Sequence, residues 1–351
     1  MLLIGYCLVL LACFYLLAVV CEEFFVESLD VIIDRLKLSP DVAGATFMAV
    51  GSSAPELFTS LIAVLRPGGH ADVGAGAIVG SAIFNILVII GGSALFKRAV
   101  LTWQPVVRDS LFHFLSIVLL LFSFWDGVVQ WYEVLSFLTL YGVYIFAVTR
   151  WKRWFPYKQS EDPLDVVDAQ VQKNFLARSS RLVLSYIIPD VKKDKTKYLY
   201  TFFMAIMAIA GLSYALVESA IGIGEVLQIS PAIIALTVLA AGTSIPDLLS
   251  SIIVAKKGRG DMAVSNAIGS NIFDILFGLG VPWAVVLLAS GGVPIQVSTE
   301  NLLSSIFLLF ATVVSVFFVL FLRNWTLGKR AGWILIGLYV LYLGYTVSLV
   351  V

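Results

Sequence analysis

The sequence predicts an all-α membrane protein: ten transmembrane helices forming two inverted-topology five-helix repeats, with broken helices at the second and seventh spans. Three observations carry this prediction. The composition is too apolar to cover a water-exposed surface, the basic residues sort to one side of a ten-span arrangement, and a set of polar motifs occurs twice.

Of 351 residues, 60% are hydrophobic and 13% are charged, against about 25% charged in an ordinary soluble domain. A helix of about 20 apolar residues crosses a hydrocarbon layer of ~30 Å. Candidate spans fall near 2–26, 40–65, 74–96, 107–125, 130–149, 199–221, 231–255, 262–289, 301–322 and 331–351. The polar stretch between the fifth and sixth divides the chain into a first repeat at 1–150, a cytoplasmic loop at 151–198 and a second repeat at 199–351. The first span lacks a preceding basic segment and a clear small-residue cleavage site, so it reads as a retained helix and not a signal peptide. Cys7, Cys13 and Cys21 all fall within it, giving no spaced disulfide framework and no metal-ligand set, so they read as apolar filler.

The formal net charge is zero, but the placement of Lys and Arg sets orientation. With an extracellular N-terminus, the cytoplasmic side holds Arg35 and Lys37, then Lys97, Arg98 and Arg108. It also holds Arg150, Lys152, Arg153, Lys158, Lys173, Arg178, Arg181, Lys192, Lys193, Lys195 and Lys197 of the central loop, and the clusters Lys256, Lys257, Arg259 and Arg323, Lys329, Arg330. Only Arg66 is left outside. A wrong span count would have scattered these residues over both faces.

The internal repeat is the most informative feature. Val26-Glu27-Ser28, Asp34, Leu36, Ser39-Pro40 and Thr46 reappear at constant spacing as Val217-Glu218-Ser219, Glu225, Leu227, Ser230-Pro231 and Thr237. The same register carries Ala49 to Leu57 (AVGSSAPEL) onto Ala240 to Leu248 (AAGTSIPDL), and after a two-residue difference Gly80 to Leu87 (GSAIFNIL) onto Gly269 to Leu276 (GSNIFDIL). Each half holds an odd number of spans, so the second enters the membrane in the opposite sense. Duplication for helix packing alone would call for small residues, but not for the acids.

Those acids define the chemistry. Gly51 and Pro55 interrupt the second span, since the proline has no amide proton and displaces the carbonyl four residues earlier; Gly242 and Pro246 do the same in the seventh. Each repeat thereby offers carbonyls, hydroxyls and a carboxylate one residue after the proline, and broken backbone at this depth must line a cavity. Glu56, Asp247 and Asp274 together cost roughly 8–10 kcal/mol to hold at the bilayer centre, at about 2.5–3.5 kcal/mol each. No neighbouring Lys or Arg offsets this in the sequence, so the compensating charge is read as a transported ion. Oxygen-only ligands suit hard cations such as calcium and sodium, whereas zinc or copper would want nitrogen or sulfur. A charge of −3 matches one divalent plus one monovalent cation. Asn85 and Asp274 are repeat equivalents that differ by a full charge, an asymmetry that bears on which ions are cotransported. His70 and His113 lie outside the repeated motifs, and His113 reads as a packing or interfacial residue.

The stretches Gly44-Ala45-Thr46-Phe47-Met48-Ala49, Gly51 to Ser60, Leu239 to Asp247, Gly260 to Val264 and Gly269 to Asp274 resemble the cation/calcium exchanger superfamily, in particular its potassium-dependent sodium/calcium exchanger branch. The resemblance covers both halves. It implies that Glu56 and Asp247 are central calcium ligands, aided by carbonyls near Ser52 and Thr243. It implies flanking sodium positions at Ala49, Ser53, Ser81, Ala240, Ser244 and Ser270, shared with the two acids, and completion of the cluster by Asn85 and Asp274, the latter typically aspartate where potassium is cotransported. The short central loop holds no separate calcium-sensing domain.

The function expected is therefore sodium/calcium antiport coupled to potassium, with ions and lipid as partners, no cofactor, and the plasma membrane as the family's usual location. A calcium/proton antiporter on the same fold is the nearest alternative, because buried carboxylates also load protons. A passive channel would carry flux without a counter-ion. An intramembrane aspartyl protease is suggested by Gly258-Arg259-Gly260-Asp261, but no Tyr-Asp partner motif occurs, and Asp261 reads as a helix start. Glu22, Glu23, the pair Glu27 and Glu218, and the pair Asp34 and Glu225 are expected near the membrane interfaces, where ion entry is the functional role open to them.

Overall fold

The computed structural model describes residues 2–36, 49–66, 70–96, 99–156, 181, 183–192, 194–256, 260–298 and 302–348. Lys37, Ser39, Pro40, Gly44 to Met48, Lys97, Arg98, Lys158, Lys173, Arg178, Lys193, Lys257, Gly258 and Arg259, all weighed above, lie outside the described residues.

The first half runs α1 (Leu2–Leu36), α2 (Ala49–Ser52), α3 (Ala54–Leu65), α4 (Ala71–Phe96), strand β1 (Ala99–Val100), α5 (Trp103–Ser123), strand β2 (Val128–Val129) and α6 (Trp131–Trp154). The second runs α7 (Tyr198–Leu227), α8 (Pro231–Thr243), α9 (Ile245–Lys256), α10 (Gly260–Leu276), α11 (Gly280–Ala289), strand β3 (Ile295–Gln296), α12 (Leu302–Leu322), strand β4 (Thr326–Leu327) and α13 (Lys329–Ser348). Among the described residues, eight helical segments are long and apolar enough to cross a membrane, and α3 and α8 are shorter apolar helices. The chain is an all-helical, multi-pass membrane protein.

The first helix does not stop near residue 26 as expected. It continues to Leu36 through a π-helical turn at Cys21–Phe25, and the added piece is amphipathic, burying Ser28, Leu29 and Val31. A π turn inserts a residue without breaking the ladder and re-aims the face that follows, so the hydrophobic run ends before the helix does. Similar turns occupy Asn85–Ile89 in α4 and Ala235–Leu239 in α8.

The helix α4 lies at the centre and is buried along almost its whole length. It packs against α3, α8, α10 and α12. The other spanning helices leave large apolar side chains exposed, such as Leu8, Phe146, Met207 and Phe318, as lipid-facing surfaces require. Gly80 is needed at the α4–α8 crossing because a Cβ there would overlap the Leu236 carbonyl.

Two short antiparallel ladders tie the halves together: β1 with β4 (Ala99↔Leu327, Val100↔Thr326) and β2 with β3 (Val128↔Gln296, Val129↔Ile295). Periodicity gave no sign of them, since each strand has two residues.

Arg108 was expected in a cytoplasmic cluster and is instead buried in the second turn of α5. The apolar run begins after it, which hid the helix start at Trp103. Its guanidinium donates to Asp109 through Nε at 2.7 Å and Nη2 at 3.1 Å. Tyr144 of α6 and Ser265 of α10 donate to the same carboxylate at 3.3 and 3.4 Å. Buried charge is thus paired and hydrogen-bonded, as it must be in a low-dielectric interior.

The described end of the central loop seals onto α1 and α7 through buried Ile188. Arg181 pairs with Glu23 at 3.1 Å and Lys192 with Glu27 at 2.6 Å. Burial alone would lower the Lys192 ammonium, but the hydrogen bond and charge of Glu27 outweigh it and hold its pKa above the ordinary lysine value. The repeat mate Glu218 pairs with Arg66 at 2.9 Å. Glu23, Glu27 and Glu218 therefore have basic partners. His113 is fully buried and neither ring nitrogen has a hydrogen-bond partner.

Candidate ion-binding site

In each half a single residue jogs the helix and delivers an acid to the centre. Ser53 (φ −97°, ψ 13°) separates α2 from α3, and Pro55 stands in the first turn of α3, where a missing amide proton leaves nothing unmet. Ser244 (φ −89°, ψ 1°) separates α8 from α9. The wider unwinding expected over Gly51–Pro55 and Gly242–Pro246 is not found. The Leu57 amide donates to the Ser53 carbonyl at 3.0 Å and the Leu248 amide to the Ser244 carbonyl at 3.0 Å, so the ladder closes again at once. Each proline opens a new helix and does not melt an old one.

The two glycines act mainly in packing. A Cβ at Gly242 would overlap the Phe14 ring of α1, and one at Gly51 would press on Leu29 and Val26 of the same helix. Their lack of a side chain lets α1 lie directly over both joints.

Glu56 is buried in the first turn of α3. Its Oε1 accepts from Ser244 Oγ at 3.3 Å, and Ser244 Oγ is 2.8 Å from Ser81 Oγ of α4. Its Oε2 has no hydrogen-bond partner. Thr243 stands beside Glu56, while its hydroxyl donates to the Leu239 carbonyl at 3.1 Å. Asp247 and Asp274 are buried, and each lies within electrostatic range of Glu56 and of the other. Ser53 stands next to Asp274 without full hydrogen-bond geometry, and Asp274 Oδ1 has no partner.

A second set of contacts orients Asn85. Asn271 Nδ2 donates to the Ala82 carbonyl at 3.1 Å, which turns Asn271 Oδ1 toward Asn85, and Asn85 Nδ2 donates to it at 2.9 Å. Asn85 Nδ2 also lies 3.4 Å from Ser270 Oγ, which donates to Ala267 at 3.2 Å. With its donor end committed, Asn85 leaves a buried Oδ1 unpaired, and an amide oxygen can take part in binding a hard cation.

The structure thus joins Glu56, Ser81, Thr243 and Ser244 in one group and Asn85, Ser270 and Asn271 in another, with Asp247 and Asp274 within electrostatic range of Glu56 in the first. Ala240 is buried on α8 beside Gly80, Ala49 opens α2, and Ser52 closes it half-buried. Among the described residues no three His, Cys, Asp or Glu side chains converge on one point, so a cation here would also draw on hydroxyl, amide and backbone oxygens. Asn271 was missed as an orienting residue. Its signal was present: a polar residue inside the repeat motif whose mate, Ala82, is apolar.

Comparison with known proteins identifies the family. The family model "Sodium/calcium exchanger protein" matches residues 6–150 and 197–348. Sodium/potassium/calcium exchanger 2 of Gallus gallus is 31% identical, the match covering 96% of this chain and 76% of that protein. Sodium/potassium/calcium exchanger 2 of Homo sapiens is 32% identical over 96% of this chain and 76% of its own length. Among solved structures, the sodium-calcium exchanger NCX_Mj shares the fold with a TM-score of 0.58 at 23% identity, covering 98% of this chain and 99% of that one. The H+/Ca2+ exchanger CAX shares it with a TM-score of 0.71 at 14% identity, covering 96% and 81%. By the family match across both halves, the chain belongs to the sodium/calcium exchanger protein family, whose members are ion exchangers and not enzymes.

Proposed function

We propose that this chain is a potassium-dependent sodium/calcium antiporter, in which inward sodium flux drives export of calcium together with potassium by alternating access. The observation that carries the reading is the oxygen-only meeting of the two halves, where Glu56 meets Ser244 and Ser81 while Asp274 lies within electrostatic range of Glu56 and Asp247. The names of the relatives supply the three ions. In this reading Glu56 and Asp247 take calcium with carbonyls near Ser52 and Thr243. Sodium competes for the same acids, with Ala49, Ser53, Ser81, Ala240, Ser244 and Ser270 at its flanking positions, and Asp274 with Asn85 serves potassium. One divalent and one monovalent cation balance three carboxylates. Burying those acids unbalanced is costly, so the loaded states cross and the empty one does not, which enforces exchange.

The finer architecture belongs to the same proposal: ten spans, two inverted repeats at 1–150 and 199–351, and a cytoplasmic loop at 151–198. Strand pairing supports it by parity. Because β1 and β4 are bonded, the chain between them crosses an even number of times. Counting α5, α6, α7, α8 with α9, α10 with α11, and α12 gives six crossings, whereas omitting the broken α8–α9 segment gives five. Between β2 and β3 the same count gives four or three. Both ladders therefore favour the broken α8–α9 segment as a true span, and the repeat register extends that reading to its mate α2–α3. An extracellular N-terminus places Arg66 and Glu218 outside and Lys192 and Glu27 inside, each repeat-equivalent Glu with a basic partner. The plasma membrane is the proposed location.

The test is calcium uptake into sodium-loaded proteoliposomes with and without external potassium, comparing the parent with Asp274→Asn. The parent requires both the sodium gradient and potassium, and Asp274→Asn loses the potassium response. Sodium-independent uptake driven by a proton gradient would identify calcium/proton exchange, and flux without any counter-ion gradient a channel.

A further inference from the structure

In a helix within an apolar interior, a hydroxyl with no other partner normally donates to the carbonyl one turn back, and several here do. Thr237 donates to Ile233 at 2.8 Å, Ser219 to Ala215 at 2.7 Å and Thr346 to Tyr342 at 2.9 Å. Ser60 and Ser251 do not. Both are at most 2% exposed, and neither hydroxyl has a hydrogen-bond partner. An unmet hydroxyl in apolar surroundings is unfavourable unless a ligand meets it.

Their positions are related. Ser60 follows Glu56 by four residues on α3, Ser251 follows Asp247 by four on α9, and the repeat register maps one onto the other. Four residues along a helix return to the same face one turn on. The central helix α4 fixes the direction of that turn in each half. A Cβ at Gly74, near one end of α4, would lie 3.1 Å from Ser60 Oγ; Ser81 meets Ser244 at the acids; a Cβ at Gly92, near the other end, would lie 3.5 Å from Leu248 of α9. At 1.5 Å per residue, Gly74 and Gly92 are about 27 Å apart, close to a bilayer's apolar thickness. Ser60 therefore lies on the Arg66 side of the acids and Ser251 on the Lys256 side.

We propose that Ser60 and Ser251 are transit ligands for the cation, one on each side of the carboxylates, each offering a hydroxyl oxygen as the ion exchanges water for the central site. The inference rests on the exchange function proposed above. A hard cation gives up its hydration most readily where each lost water is replaced by another oxygen, and an unpartnered hydroxyl one turn from an acid supplies it.

The test uses the full chain, recording exchange currents in outside-out and inside-out patches with calcium titrated on the exposed face. Ser60→Ala raises the half-saturating calcium by about fivefold on the Arg66 face alone, as expected for one lost contact of about 1 kcal/mol. Ser251→Ala does so on the Lys256 face alone. Ser60→Cys and Ser251→Cys keep the volume, lose the hard oxygen and reproduce the sided shifts. Equal shifts at both faces, no shift at either, or recovery by cysteine would overturn the proposal. Absence of sodium-driven calcium current in the parent would instead count against the exchange function.

Discussion

Ser81 and Ser244 share a 2.8 Å hydrogen bond across 163 positions of sequence, yet they are not repeat equivalents. The mate of Ser81 is Ser270 and that of Ser244 is Ser53. The bond joins the middle of α4 to the α8–α9 joint and continues to Glu56 at 3.3 Å, so a carboxylate of the first half is held by a hydroxyl of the second. Ser81→Ala and Ser244→Ala should each weaken sodium binding, with a coupling energy in the double-mutant cycle of about 0.5–1.5 kcal/mol. Sodium titration of exchange in the four proteins measures it, and a coupling near zero would mean that the bond does not operate in the sodium-bound state.

Glu56→Gln removes the charge but keeps the shape. Calcium uptake should fall by more than about tenfold, because ligand charge largely sets affinity for a divalent ion. Asp247→Asn should do the same. Sodium-driven uptake of radioactive calcium reads the loss, and an unaltered elution profile in detergent separates it from misfolding.

Arg108→Ala leaves Asp109 as a buried carboxylate without its guanidinium. The cost should be about 3–5 kcal/mol, and replacing both residues by apolar ones should cost less than removing the arginine alone. Thermal unfolding in detergent distinguishes the two variants.

Arg66 and Glu218 form the opposite case, with side chains 23% and 33% exposed. Glu218→Gln should destabilise by no more than about 1 kcal/mol, and the effect should shrink as salt is raised. The melting temperature at low and high ionic strength checks both statements.

Gly242→Ala should destabilise by about 1–3 kcal/mol through overlap with Phe14. Phe14→Leu should relieve it. A neutral Gly242→Ala would show that α1 can move off the joint without cost.

The acids and hydroxyls of the site were legible because a polar residue in an apolar span is rare enough to be informative, and the repeat marked which of them belonged together. Glu56, Ser244 and Ser81 emerged in this way. Asn271 carried the same mark, a polar residue whose repeat mate Ala82 is apolar, but its orienting role depends on the Ala82 carbonyl, a backbone atom that no residue type announces. Arg108 was misplaced because its partner is the adjacent residue: two neighbouring opposite charges read as solvent-exposed until Tyr144 and Ser265 are seen converging on the carboxylate. The break at Ser53 was foreseen in position and overestimated in extent, because proline in a first turn looks the same in sequence as proline in a helix interior. The π turns shift a face without changing composition, so hydropathy carries no trace of them.

The two strand ladders set an order on synthesis. Their partners are nested like brackets, with β2–β3 inside β1–β4, so a chain emerging from its N-terminus closes the inner pair once residue 296 is made and the outer pair only after residue 327. Until then Ala99–Val100 has no edge to bond. The first half must wait at the membrane for the second, and an exchanger truncated before the last loop should be recognised by quality control as unfinished even though both acid-bearing motifs are complete.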